Sequence, residues 1–171
     1  MKELDYLGIF GEFNRKGIRY IVCGGVAVNL WGVPRMTYDI DLLLDMKETN
    51  LRAFLGLLQT WGFRSRLPVD MMDLLDGKKR MRWIEEKNMK AFSLYNPRWA
   101  ISEIDVLIGL PVTYQRAAQN VIYKIVGQVE IPLISPKDLI EMKRDSERPQ
   151  DRVDAQYLEK LLGREDGKNG L

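Results

Sequence analysis

Asp39 and Asp41 stand two positions apart in the run Tyr38-Asp39-Ile40-Asp41-Leu42-Leu43-Leu44, which has the composition of a strand. Successive side chains of a strand leave by opposite faces. The two carboxylates therefore share one face, while Ile40 and Leu42 take the other and can enter a core. Carboxylates that close repel by ~2–3 kcal/mol at an effective dielectric of about 20, and a divalent cation between them reverses the sign. Ser102-Glu103-Ile104-Asp105-Val106-Leu107-Ile108 repeats the arrangement, with Glu103 and Asp105 on a common face. If these two strands are neighbours, Asp105, or Glu103 in its place, completes a three-carboxylate cluster able to hold two Mg²⁺ (or Mn²⁺) ions. Oxygen clusters of that kind suit hard cations and leave positions for water and phosphate. Two such ions can hold the attacking and leaving oxygens of an in-line phosphoryl displacement. Without a metal, the same aspartates read as strand-end carboxylates facing solvent or paired with an arginine such as Arg35.

These residues need elements to position them. Tyr20-Ile21-Val22-Cys23 predicts a strand, Gly24-Gly25 a turn, and residues 26–31 a helix broken at Gly32-Val33-Pro34. Upstream, Leu4, Leu7, Phe10 and Phe13 recur at helical spacing over 3–16, with Gly17 as the stop. Downstream, Asp45 is expected to cap a helix over 47–61 whose Leu51, Phe54, Leu55 and Leu58 form one apolar face. A short helical pattern covers Met71–Leu75. Strands are predicted over 81–86, 90–95 and 103–108, and a short helix over 111–118. Gly127 turns a hairpin between 121–126 and 128–133. Helices over 135–144 and 149–162 close the chain. The alternation predicts an α/β (α+β) fold with a mixed central sheet flanked by helices and a C-terminal helical pair. One domain spans 1–171, with its core at 1–134, helices at 135–163 and a frayed tail at 164–171.

Composition narrows the chemistry. The 171 residues are 46% hydrophobic and 29% charged, as in ordinary globular domains, and a formal charge of +2 selects no partner. Histidine is absent, which excludes Ser-His-Asp and Cys-His catalysis and histidine zinc sites. Catalysis must then come from carboxylates, lysine, tyrosine or bound metal. Cys23 stands alone, so no intramolecular disulfide forms, and it reads as a small buried hydrophobe. The opening Met1-Lys2-Glu3-Leu4-Asp5 runs into an amphipathic pattern, so no signal peptide is expected there, and no apolar run reaches membrane-spanning length. A cytoplasmic protein without a membrane partner is expected. Lys78, Lys79, Arg80, Arg82, Lys87 and Lys90 cluster around Trp83 and Phe92. That pattern fits an RNA-binding hairpin, and more often an edge hairpin kept soluble by its charges.

The order of motifs resembles the nucleotidyltransferase (polymerase β-like) superfamily: a glycine pair, an acid-x-acid strand and a third acid on a later strand. The run Gly-Gly-x-Ala…Gly-x-x-Arg-x-Thr-x-Asp-Ile-Asp, Gly24 through Asp41, is most similar to a small prokaryotic branch that includes AbiEii/AbiGii-type toxins. The closing segment Ser135-Pro136-Lys137-Asp138…Lys143…Arg148-Pro149-Gln150-Asp151…Asp154 is similar as well, while residues 46–100 are unmatched. The resemblance implies that Asp39 and Asp41 ligate both metals. It implies that Asp105 ligates the acceptor-side metal and helps deprotonate the attacking hydroxyl. Gly24 and Gly25 would let the backbone approach the triphosphate. The family commonly has serine at the second glycine, and Gly25 departs from that. Arg35 and Lys143 are candidates for phosphate or pyrophosphate charge, and Asp151 for orienting Lys143 or meeting the acceptor. For Lys143 and Asp151 a solvated helix face is the competing reading, and for Arg35 a loop salt bridge.

Two functions follow. One is transfer of a nucleoside monophosphate from a metal-bound NTP such as ATP to a hydroxyl on RNA, protein or a small molecule, releasing pyrophosphate. The other is a non-catalytic nucleotide-binding or partner-binding protein, for instance in a toxin–antitoxin pair with a cognate antitoxin or small helical partner. A glycosyltransferase also uses Asp-x-Asp, but it would leave the glycine pair unexplained.

Overall fold

Short leucine- and β-branched-rich runs, each ended by glycine, proline or a capping side chain, set the rhythm of the chain. The computed structural model describes residues 2–169. Its strands are β1 (Tyr20–Cys23), β2 (Asp39–Leu44), β3 (Arg64–Ser65), β4 (Ala91–Tyr95), β5 (Glu103–Leu107), β6 (Ile122–Val126) and β7 (Val129–Leu133). They form one sheet in the order β3-β4-β5-β2-β1-β7-β6. β2 runs parallel to β5, and β1 to β7. The other neighbours are antiparallel. The expected mixed sheet is therefore present, and the strands carrying the acidic pairs are adjacent.

The helices are α1 (Tyr6–Arg15), α2 (Gly24–Leu30), α3 (Glu48–Thr60), α4 (Gly77–Lys87), α5 (Tyr114–Ala118), α6 (Pro136–Arg144) and α7 (Pro149–Asn169), with a 3₁₀ turn at Met71–Leu75. Asp5 caps α1 by accepting from the Gly8 N–H at 2.7 Å, which aims Ile9, Phe10 and Phe13 into the core. The Phe13 ring lies 5.1 Å from Tyr20, 5.6 Å from Phe54 and 5.9 Å from Trp61, between ring centroids. One aromatic cluster thus holds α1 and α3 to β1, and truncating such a ring costs about 3–5 kcal/mol.

Three expectations need correction. Residues 81–86 are not a strand but the second half of α4. Asp76 caps that helix through the Lys78 and Lys79 amides, and Asn88 ends it in the left-handed conformation at φ 48°. These capping signals outweigh the strand-like alternation of Met81-Arg82-Trp83-Ile84. The basic cluster, Lys90 apart, consequently lies on a helix rather than a hairpin. Trp83 stacks on buried Phe92 at 5.2 Å, so its ring is a packing group and no free platform for a base. Asp45 does not cap α3, whose first flanking residue is Lys47. Asp45 instead accepts from the Lys47 amide at 3.1 Å and pairs with Arg19 at 3.2 Å. Finally, α7 continues past Leu162 to Asn169, so the tail expected to fray from 164 is helical that far. Residues 170–171 lie outside the described residues. Among the described residues no helix is long and apolar enough to cross a membrane.

Candidate metal centre

β2 lies between β1 and β5, and its register decides the site. Asp41 is opposite Cys23 on one side and Asp105 on the other, while Asp39 is opposite Glu103. Ile40 and Leu42 are fully buried and lock the strand by its other face. Asp39, Asp41 and Asp105 are left half-buried, each offering a carboxylate oxygen within 4.8 Å of the others. Of the two acids open on β5, Glu103 is bound to Arg66. Asp105 Oδ1 is buried without a hydrogen-bond partner among the described residues, so the third position of the cluster falls to Asp105.

Electrostatics follow from that crowding. Burial, then the charges of Asp39 and Asp105, push the Asp41 carboxyl up to about 7, with Lys143 and Arg148 pulling the other way. Burial also raises Asp105, opposed by Ser93, its register partner on β4. Nearby Arg35, Arg66 and Lys143 are each paired to carboxylates outside the cluster. An all-oxygen, mutually repelling set with an orphaned buried oxygen fits a hard divalent cation.

Gly24 and Gly25, expected as a turn ahead of a helix over 26–31, are the first two residues of α2, and this strand-to-helix turn is shaped by the cluster. Gly24 has φ +61°, and a Cβ there would fall 1.8 Å from Asp41 Oδ2. Only glycine permits both that conformation and that approach. A Cβ at Gly25 would meet Thr37 Oγ1 at 2.8 Å. The space a side chain at 25 would need is thus taken by Thr37, whose hydroxyl donates to Asp39 Oδ1 at 3.0 Å. The Tyr6 hydroxyl donates to the Thr37 carbonyl at 3.0 Å and fixes this loop from α1. Burial, then the Asp39 charge, raises the pKa of that hydroxyl.

The remaining predicted residues assemble behind the turn. Lys143 is buried rather than on a solvated helix face, and its Nζ donates to Asp151 Oδ1 at 2.7 Å and lies 3.2 Å from Asp154 Oδ2. Arg35 also pairs with Asp154, and the Ser146 hydroxyl donates to Asp151 Oδ2 at 2.5 Å. Burial alone would raise Asp151, but the Lys143 and Ser146 hydrogen bonds carry it below the usual carboxylate range. Thr37 and Asp154 were not singled out as site residues by sequence reasoning. Both signals were there: Thr37 is two positions before Asp39, on the same side of an extended segment. Asp154 is one helical turn after Asp151.

An open cleft of about 310 Å³ adjoins Asp39. Met36, Thr37 and Tyr38 line it from one side, and Ser102 and Glu103 from the other. Met36 and Tyr38 are 77% and 65% exposed.

No protein-family profile matches the chain, and no curated protein matches it in sequence. Among solved structures it is similar to the lincomycin-bound lincosamide antibiotic adenylyltransferase LnuA. That likeness has a TM-score of 0.60 at 16% identity, covering 90% of this chain and 93% of the other. An antigenic nucleotidyltransferase-like protein from Paracoccidioides brasiliensis gives 0.51 at 15% identity, covering 92% and 73%. At these identities the likeness is one of fold, and the fold is that of the nucleotidyltransferases.

Proposed function

We propose that the protein is a metal-dependent nucleotidyltransferase that moves a nucleoside monophosphate from an NTP to a hydroxyl acceptor and releases pyrophosphate. The observation that carries this reading is the register of β2 against β5. It brings three carboxylate oxygens within 4.8 Å of one another beside a glycine turn, on a nucleotidyltransferase fold. Asp39, Asp41 and Asp105 are the residues that would hold Mg²⁺ or Mn²⁺. Bound there, such ions supply charge for the phosphates and lower the pKa of the attacking hydroxyl.

The chain's own groups divide the rest of the work. Asp105 accepts the acceptor's proton as the acceptor oxygen bonds the α-phosphorus and the bond to pyrophosphate breaks. Thr37 holds Asp39 in place. Gly24 and Gly25 leave the backbone bare where the triphosphate approaches. Lys143, oriented by Asp151, and Arg35 place positive charge behind that turn. The cleft beside Asp39 is where the acceptor enters, and LnuA, solved with lincomycin, makes a small-molecule hydroxyl one acceptor to test beside RNA and protein. A partner-binding role, as in an AbiEii-like toxin with its antitoxin, draws on the edge strand β6, where Tyr123 and Ile125 are 60% and 70% exposed.

Label transfer tests the reaction. Each NTP, radiolabelled at the α-phosphate, is incubated with Mg²⁺ or Mn²⁺ and total RNA, cell lysate or lincomycin, with Asp39→Ala/Asp41→Ala as control. Metal-dependent label that the control lacks is the expected result and names the acceptor class. Absence of label together with no metal-dependent nucleotide binding by calorimetry overturns the reading in favour of the partner-binding one.

A further inference from the structure

The cleft beside Asp39 has walls of different chemistry. Met36 and Tyr38, both largely exposed, make one wall apolar, while Ser102 and Glu103 bring hydroxyl and carboxylate oxygens to the other. The ionic side chains that line it are Arg35, Asp39 and Glu103, and none has charge to spare. Arg35 is paired with Asp154. Asp39 belongs to the metal cluster. Glu103 is paired with Arg66, which reaches it from just after β3.

That last pair is held from the side away from the cluster. Tyr95 on β4 is the register partner of Glu103. The Arg66 guanidinium lies over the Tyr95 ring, 4.8 Å from its centroid, and the Arg66 amide donates to the Ser93 carbonyl at 3.0 Å. Ring, backbone and carboxylate thus fix the guanidinium beside Glu103, although half of its side chain is exposed. A carboxylate neutralised in this way gains little from a second cation, which the Arg66 charge repels. It still accepts hydrogen bonds, because Arg66 takes Oε2 and Oε1 has no partner among the described residues. A polyanion fares no better, since the one cation lining the cleft is already paired. The volume of about 310 Å³ is that of a small-molecule site.

We propose that this cleft selects an uncharged, hydroxyl-bearing small molecule as acceptor, an assignment that rests on the nucleotidyl-transfer reading above. Glu103 is the residue that recognises it, and Arg66, seated on Tyr95, is the positioning residue that keeps Glu103 neutralised. One hydroxyl of the acceptor donates to Glu103, and Met36 and Tyr38 pack on its apolar surface. Another hydroxyl bonds the α-phosphorus as pyrophosphate leaves, and its proton passes to Asp105.

The test uses the full chain with Mn²⁺ and NTP labelled at the α-phosphate. A cell extract freed of protein and nucleic acid is split by ion exchange into neutral, cationic and anionic pools, and total RNA and total protein are run beside them. Label is expected to enter a product of the neutral pool at least about tenfold more than any other. Arg66→Ala bares the Glu103 charge and is expected to raise the ratio of cationic to neutral product at least about tenfold, the size of one charge-assisted hydrogen bond. Arg52→Ala, which removes an exposed ion pair on α3, should leave that ratio as in the wild type. An equal KM for the NTP in all three proteins excludes a general disturbance of the site. Label chiefly from a charged pool, RNA or protein overturns this assignment alone, as does nucleotide binding without label from any pool. A ratio that Arg66→Ala does not move overturns the roles of Arg66 and Glu103. A wild type with neither label nor metal-dependent nucleotide binding overturns the nucleotidyl-transfer reading and this assignment with it.

Discussion

Asp41 is the residue at which the site's demands conflict with folding. Its carboxyl stands near 7 in the folded chain against 3.8 for the free group, so between those values the native state binds more protons than the unfolded one. Stability is then present below the unfolded value and lost as pH rises through the folded one. For the metal-free protein we expect Asp41→Asn to flatten this loss and to raise stability at pH 8 by about 1–3 kcal/mol. Urea midpoints of both proteins from pH 5 to 8 measure it, and equal slopes refute it. Metal binding must displace the same proton, so Mn²⁺ affinity should rise over that range in the wild type. At this scale the sequence was informative, because period-two spacing put Asp39 and Asp41 on one strand face and Glu103 and Asp105 on another, and the pairing of β2 with β5 joins the two. It could not separate Asp105 from Glu103, since that choice depends on Arg66, which reaches Glu103 from just after β3, a strand two places away in the sheet.

Among the elements, the strands with unbroken apolar partners and the capped C-terminal helix α6 were legible, as was the hairpin at Gly127. The segment 81–86 was not, because its alternation of large and charged residues satisfies both periods. Only the caps at Asp76 and Asn88 distinguish a helix there. The role of α7 was also hidden, since Lys143, Asp151 and Asp154 sit amid many charges and burial alone reveals which of them are structural. Removing one partner from a buried ion network leaves the others uncompensated. Lys143→Ala is therefore expected to cost about 3–5 kcal/mol, well above the ~0.5 kcal/mol of an ordinary surface change. Adding Asp151→Asn and Asp154→Asn should return a large share of it. Urea unfolding decides between this and a solvated helix face, for which Lys143→Ala would be nearly neutral.

For the whole molecule, the sheet order places the acidic strands at its centre and the edges away from the chemistry. The site is contributed by segments far apart in the chain: the turn after β1, the loop before β2, the strands β2 and β5, and the helices α6 and α7. The ion pair between Arg35 and Asp154 closes a separation of 119 residues. Contacts of such range form late because loop closure must precede them. In refolding experiments, metal-dependent nucleotide binding is expected to appear with the slowest phase, after most tryptophan fluorescence has recovered; simultaneous recovery would contradict it. During synthesis the consequence is one of timing. The carboxylates of β2 and β5 leave the ribosome well before α7 does, so the nascent chain carries its acidic pocket for some time without the helix that braces it. A segment made after both acidic strands is the one that completes the site.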